Sequence, residues 1–600
     1  MSEPPEIASA WLAWFSEALT SRNAKLASKL FLPNGWFRDV LIFDWDNRSL
    51  QGHAKIESYF SSALSGANIQ NVVLDERAGL TPSYFVVTPD LSGVEAAFKF
   101  DTPIAYGRGY IRLLPDHSQP GEWRALAVYM TADNLKGHEE AGNETGVYDG
   151  HTLSWTDIKA ERRGEVEADP QVVVVGAGQT GVQVAARFKQ MGFRTIIIER
   201  NKRVGDNWRK RYPTLSLHTP RTHHNLLYAP FPSNWPTFTP RDKVAFWLEQ
   251  YAEAQDLIVW TSTEILHAPT YDQTTGRWTM DLDKNGTKVT LHPAHIILAT
   301  GTLGDPFVPQ VEGTDKFIGD HLHAVQYAGG ARYAGKRVAV IGAGNTSADI
   351  CQDLCHHGAD VTMVQRSDTC VVSAALVAKQ LSEIWPEGVP TEISDFKTAA
   401  MPLGLLKQLL QAASEQSQAF DKQMHDDLRK SGLRLNYGPE NSGQLFLVFQ
   451  RGGGIDVGAA KLITTGKVKV RSGVEVQRFN EKSINFNDGS ELEVDAVIFA
   501  TGYYNIRPTV RKVFGAEMID RTSQVWGLDE EGELKGCYRP SGLPGLWFAA
   551  GDFFNSRYMS KQLALLIRAI DLGYTNYPNL ASIPPGMTSE LPSGAEMNGV

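Results

Sequence analysis

QVVVVGAGQTGVQVAARFKQMGFRTIIIER, residues 171–200, decides the reading of the middle of this chain. Four valines make a buried strand, a glycine-rich turn follows, then an amphipathic helix, then the apolar strand RTIII. In the turn Gly176-Ala177-Gly178-Gln179-Thr180-Gly181, Gly176 serves the tight bend. Gly178 lets backbone N–H groups approach a pyrophosphate, and Gly181 lets the helix pack on the strand. Glu199 stands 23 positions after Gly176, at the end of the next strand. An acid there accepts the ribose hydroxyls and favours a free 2′-hydroxyl, as in FAD or NAD.

A second copy of the pattern runs over residues 337–367, RVAVIGAGNTSADICQDLCHHGADVTMVQRS. Its turn carries Gly342, Gly344 and Asn345, with Ser347 in place of the third glycine. The next strand ends in Arg366 and Ser367 instead of an acid. Arg pairs with a 2′-phosphate and Ser donates to it, so FAD on the first unit and NADPH on the second is the natural assignment. A surface Arg beside an NAD site is the bland alternative. The fold class expected is α/β, with two Rossmann-like dinucleotide-binding domains.

Outward from these units, residues 1–135 form a small α+β pattern. IASAWLAWFSEAL places Trp11, Phe15 and Ala18 on one helical face with Trp14 beside them, and VLIFDW, VEAAFKF, YGRGYIRLL and EWRALAVYM read as strands. Residues 136–168 are polar, Gly-rich and mixed in charge, which predicts a solvated linker and a separable N-terminal module. The expected order is then 169–330 for the first part of the FAD domain and 331–494 for the NADPH domain, with a helical insertion at about 373–435. Residues 495–600 supply the second part of the FAD domain and a tail.

The chain has 600 residues and a formal net charge of -10, which argues against nucleic acid as the main partner. Four cysteines are too few for a disulfide scaffold and suggest a reducing, cytoplasmic setting. The start MSEPPEIASAWLAWF lacks a basic n-region, no apolar stretch is long enough for a bilayer, and PSGAEMNGV at 592–600 does not read as an anchor. Cys351 and Cys355 with His356 and His357, and the pair His223–His224, have metal-like spacing. The first set sits on the helix after the second turn, and the second lacks a nearby acid or Cys, so no metal is expected. No Cys precedes Cys351, which removes a disulfide reductase built on the first unit, and the GxSxG hydrolase elbow is absent.

Several further motifs resemble those of the flavin-containing monooxygenases. Phe317, Gly319, His323 and Tyr327 match that family's F-x-G-x-x-x-H-x-x-x-aromatic linker signature. VGDNW, with Asn207 and Trp208, looks like its flavin-covering segment, and Ala299-Thr300-Gly301 like its first ATG motif. FATGYY, with Thr501 and Gly502, is similar to the motif near its nicotinamide site, and Gly551 and Asp552 resemble its closing segment near the flavin. RYPTLSLHTP and LLYAPFPSNWPTFTP are most like the YUCCA-type members, and Tyr327 departs from the Trp of the Baeyer–Villiger subgroup. Residues 1–135 resemble NTF2-like (SnoaL-like) domains.

The resemblance implies an FAD-dependent NADPH:O2 monooxygenase in which a C4a-hydroperoxyflavin passes one oxygen to a small 2-oxo acid, amine or thioether. The cofactor then carries the chemistry, with no dedicated acid–base dyad. His218, lining a flavin or substrate pocket, and His323, at a hinge, are the protein candidates for tuning it. Two other readings stay open: an NADPH oxidase or quinone reductase on the same fold, and a scaffold with vestigial flavin sites. The partners expected are substrate and O2, with no nucleic acid and no membrane; homo-oligomerisation is left open.

Overall fold

The computed structural model describes residues 3–88, 91–443, 453–577 and 597–598; the tail at 592–600 otherwise lies outside the described residues. Val172–Val175 is the middle strand of a five-stranded parallel sheet. The order is Val259–Trp260, Thr195–Ile198, Val172–Val175, His295–Leu298, Leu546–Phe548. Strands covered on both faces need no polar alternation, which is why VVVV and TIII are continuous apolar runs. The helices Gln179–Gln190 and Phe553–Asp571 lie against each other beside this sheet.

The second unit builds another five-stranded parallel sheet, ordered Asp320–His323, Ala496–Phe499, Arg337–Ile341, Asp360–Gln365, Val468–Ser472. Two of these strands fall outside the expected span of 331–494. The apolar, fully buried AVIF stretch pairs between Asp320–His323 and Arg337–Ile341, so boundaries at 330 and 494 would cut the sheet. The stretch at 373–435 is helical, with Ala374–Ile384, Thr391–Ala399, Leu403–Ala412, Ser414–Phe420 and Lys422–Lys430.

Toward the N-terminus, residues 31–135 make a seven-stranded sheet, antiparallel except where Phe31–Val40 runs parallel to Trp123–Leu135. Pro4–Thr20, Ala24–Lys29 and His53–Ala67 pack on it around Phe15, Phe31, Phe37, Phe60 and Phe98. Trp11 stacks on Phe15 at 4.9 Å. Trp14 points outward instead and is 57% exposed. VLIFDW is not a strand beyond Val40. The Asp39 carboxylate accepts the amides of Ile42 (3.1 Å), Phe43 (3.1 Å) and Asp44 (3.2 Å) and folds that stretch into a turn. Burial pushes the Asp39 carboxyl up to about 7.

Alternation along Ala105–Pro115 divides the two faces of this sheet. Ile111 and Leu113 point to the helices, whereas Tyr110, with Tyr129 of Trp123–Leu135, joins the apolar cluster of the first parallel sheet. Arg38 meets Glu533 in a buried bidentate pair at 2.6 and 2.7 Å, and Arg539 grips Asp46 at 2.6 Å. The face is thus an interior one, which departs from the separable module that the polar connector suggests. The connector itself contains a helix, Trp155–Ala168, opened by a Ser154/Asp157 capping box and carrying an Arg163–Glu167 pair at 2.9 Å. Its mixed charges supply that helical surface, and Glu167 accepts from Trp260 Nε1 at 2.7 Å.

Candidate active site

Each parallel sheet ends in a glycine turn whose shape admits no side chain. Gly176 has φ +104, and a Cβ there would lie 2.8 Å from the Ala299 carbonyl oxygen. A Cβ at Gly181 would come within 1.8 Å of the Gly176 oxygen, so helix and strand approach as closely as backbone allows. Gly178 caps Gln179–Gln190 and faces Asn207, whose Nδ2 would stand 3.3 Å from a Cβ. The Glu199 side chain, 8% exposed, accepts the Ala177 amide at 2.8 Å on one oxygen. The other oxygen accepts the Asn201 amide at 2.8 Å. One acid therefore ties the turn to the end of the next strand. Thr300 is exposed beside Gly301, whose φ is +93.

The side chains around this turn suit a polar cofactor, because buried polar atoms are left over. Trp208 Nε1, Thr222 Oγ1, His223 Nδ1 and His224 Nδ1 are buried without a protein partner. Burial and the neighbouring His223 and Arg557 hold His224 well below the usual histidine range, hence neutral.

The second turn is built on the same plan. Gly342 has φ +126 and sits where a Cβ would be 2.4 Å from the Ala500 oxygen. Ser347 occupies the third position, and its hydroxyl donates to the Gly342 carbonyl at 2.6 Å. Gly344 caps Asn345–His356, and Asn345 Oδ1 accepts the Ile455 amide at 2.6 Å, holding the strand Gly453–Asp456 near the turn. Arg366 and Ser367 are exposed at the strand end, with Arg366 3.3 Å from Glu475. Thr501 donates to the Phe307 carbonyl at 2.5 Å, and Gly502 has φ +79.

Both histidines named as tuning candidates belong to the neighbourhood of the second unit. His218 lies against the second unit: its Nε2 is 3.2 Å from Asp349 Oδ2, on the helix Asn345–His356. It lines a cleft of ≈ 880 Å³ with Asp349, His356, Phe238 and Lys467. Burial opposes its charge, but the Asp349 contact outweighs it and the pKa is raised. His323 has both nitrogens engaged, Nε2 with the Gly502 carbonyl at 3.0 Å and Nδ1 with the Val325 amide at 3.2 Å. Burial lowers its pKa, and it serves as a tether for the Thr501–Gly502 turn.

The histidine placed beside the closing helix is His223, set aside in the sequence for want of a nearby acid. Its acid comes from the far end of the chain. His223 Nε2 is 3.2 Å from Asp552, the N-cap of Phe553–Asp571, and its ring lies 4.8 Å from that of Trp385. Desolvation raises the Asp552 pKa, yet His223 and the Asn555 amide more than offset it, leaving it lowered. Behind them Arg557 forms a buried bidentate pair with Asp395, 2.8 Å on each arm. Its remaining Nη1 donates to the carbonyls of His223 (2.8 Å) and Asn225 (2.5 Å). Asp395 also accepts Trp385 Nε1 at 2.7 Å. No local signal marks Asp395 or Trp385, since both come from the helical insertion.

Residues 169–514 match the model of the flavin-binding monooxygenase-like (FMO-like) family. The chain belongs to this family. Among its relatives is indole-3-pyruvate monooxygenase YUCCA8 of Oryza sativa subsp. indica, 31% identical over 386 residues, 62% of this chain and 82% of the relative. Another is indole-3-pyruvate monooxygenase YUCCA6 of Arabidopsis thaliana, 31% identical over 343 residues, 56% of this chain and 76% of the relative. A solved structure of OTEMO in complex with FAD and NADP shares the fold, with a TM-score of 0.50 at 19% identity over 68% of this chain and 87% of that one. As a member of the family the chain is a flavin-dependent monooxygenase. The stretch 1–168 lies before the matched region, and Asp552 and Arg557 lie after it. Among the described residues no helix is long and apolar enough to cross a membrane, and no cluster of three or more His, Cys, Asp or Glu could hold a metal ion. Cys351 is buried in the core of the second sheet, where burial raises its thiol to about 12.

Proposed function

We propose that the chain oxygenates a small, planar organic substrate beside His223, with a 2-oxo acid of the aryl-pyruvate class first and amines or thioethers next. FAD would be held by Gly176, Ala177, Gly178, Gln179, Gly181 and Glu199, with Asn207, Trp208, Thr300, Gly301 and Asp552 toward its flavin end. NADPH would be held by Gly342, Gly344, Asn345, Ser347, Arg366 and Ser367, with Thr501 and Gly502 toward its nicotinamide end. When bound, the pair supplies reducing equivalents and oxygen activation. The protein's part is to bind, orient and keep water out. In this reading the parallel sheets are two Rossmann-like units, residues 1–135 are NTF2-like, and the enzyme works in the cytoplasm.

One observation carries the reading. His223 has Nε2 on Asp552, its ring beside Trp385, and a buried Nδ1 without a protein partner. Asp552 fixes the ring, so the free nitrogen is available to a ligand polar group at the end of the closing helix. Trp385 and Phe554, with rings 5.6 Å apart, add an aromatic wall that suits an aryl substrate. The substrate class also draws on the relatives named for indole-3-pyruvate. The test is NADPH consumption across aryl-pyruvates, amines, thioethers and ketones, with product mass measured. Product matching NADPH on an aryl-pyruvate supports the reading. NADPH converted wholly to H2O2 with every compound would make the protein an oxidase instead.

A further inference from the structure

The mechanism asks nothing of residues 1–135, yet their sheet reaches the residues next to both members of the Asp395–Arg557 pair. Phe396, adjacent to Asp395, inserts between Tyr110 (ring centroids 5.8 Å, edge-on) and Tyr129 (5.9 Å). The Arg108 guanidinium lies over the Phe396 ring at 4.0 Å. Arg112 donates to the Lys397 carbonyl at 3.0 Å, and the Lys397 ammonium meets Glu95 at 3.1 Å. Arg38 reaches the Ala399 carbonyl, so the helix Thr391–Ala399 is held along its length by one face of the sheet. On the other side of the pair, the Tyr129 hydroxyl is 3.1 Å from that of Tyr558, adjacent to Arg557.

We infer that the N-terminal domain is a positioning element of the flavin site: it clamps Asp395 and Arg557 from behind, and through them sets the backbone of His223–Asn225 and the ring of Trp385. The inference rests on the proposed placement of the active site at His223. Its physical basis is geometric. A buried ion pair needs its geometry fixed to offset desolvation, and the pair's two halves come from segments far apart in sequence. The sheet is the surface that both segments share. The domain's interior is filled by aromatic side chains, so the face turned to the flavin part, rather than its own core, is where it acts.

Amide hydrogen exchange on the full-length protein tests the linkage without recourse to turnover. R108A removes the cation over Phe396 and touches neither His223 nor either glycine turn. D395N removes the charge behind Arg557. Both variants are expected to speed exchange at 391–399 and 220–226 at least tenfold while leaving 179–190 unchanged. Both should also shift the visible band of bound FAD, and R108K should restore the wild-type pattern. If D395N does not fold, R108A decides. A lowered melting temperature with unchanged exchange at 220–226 in R108A would overturn the inference, because the contact would then be merely structural. Failure of the site reading shows differently: the exchange arms behave as expected, but the FAD band of H223Q is that of the wild type, and the inference falls with it.

Discussion

Arg38 and Glu533, 495 positions apart, form a buried bidentate ion pair that joins the first long strand of the N-terminal sheet to the segment before the last strand of the first parallel sheet. Ser49 donates a third bond to Glu533 at 2.6 Å. Removing one partner leaves an uncompensated buried charge, a loss of about 3–5 kcal/mol. Arg38→Ala is expected to lower the melting temperature by several degrees, and a chain truncated to begin near residue 165 to be insoluble. Burial works against the Glu533 carboxylate, but Arg38 outweighs it and the pKa is lowered. Its stabilisation is therefore present above the ordinary carboxylate range and lost as pH falls through the lowered value. Melting curves of both proteins across acidic pH check this; a soluble, flavin-loaded truncation would contradict it.

Glu199→Ala is expected to cut FAD content about tenfold or more, the equivalent of a lost charge-assisted hydrogen bond of about 1.5–3 kcal/mol. The carboxylate also holds the Ala177 amide, so part of the effect passes through the turn. The ratio of flavin to protein absorbance reads it directly. A normal ratio would remove Glu199 from the site.

Arg366→Ala should raise KM for NADPH about tenfold and leave KM for NADH nearly unchanged, since only NADPH carries the 2′-phosphate. The Glu475 partner at 3.3 Å is an exposed one and is easily exchanged for a phosphate. Equal losses with both nucleotides would make Arg366 structural.

His218 predicts a pH dependence of stability. Its pKa is raised in the folded protein, so the Asp349 contact stabilises fully below the unfolded value of about 6.5 and fades as pH rises through the raised value. Unfolding midpoints followed from pH 5.5 to 8.5 should fall more steeply for the wild type than for His218→Gln. Parallel curves would show that the histidine is not charged against Asp349.

His223→Gln should keep FAD bound but lower the product formed per NADPH about tenfold, with H2O2 making up the difference. Flavin content, NADPH loss, peroxide and product, measured together, separate this outcome from simple loss of cofactor. Unchanged coupling would place the substrate away from His223.

What the sequence disclosed were features written locally. Gly181 is enforced by the Gly176 carbonyl within its own strand–turn–helix unit, and although Gly176 and Gly342 are crowded by Ala299 and Ala500 from later strands, the spacing of each turn marks all three. Ser347 could be read as an acceptable third residue, although its hydroxyl clip to Gly342 could not. The site beyond the turns is assembled by tertiary packing. Asp552 meets His223, and Asp395 meets Arg557, across the chain, with no periodicity to mark either pair. The same holds for the second sheet, where the strand at 496–499 inserts between neighbours that precede it by more than a hundred residues. Composition at 136–168 marks a solvated connector but not the exposed helix within it, because a charged stretch with capping residues forms such a helix as readily as an extended linker.

The distance in sequence between Arg38 and Glu533 also sets a schedule for the ribosome. The N-terminal sheet can fold early, but the face carrying Arg38, Tyr110 and Tyr129 has nothing to cover it until residues 391–399 and then Glu533 emerge. At about 5–20 residues per second, those 495 residues take on the order of 25–100 s. For the part of that interval before residues 391–399 emerge, the nascent chain displays an arginine-studded aromatic surface in water, the kind of patch that chaperones hold. Yield in a cell will therefore depend on how translation speed and chaperone supply are matched over the second half of the message.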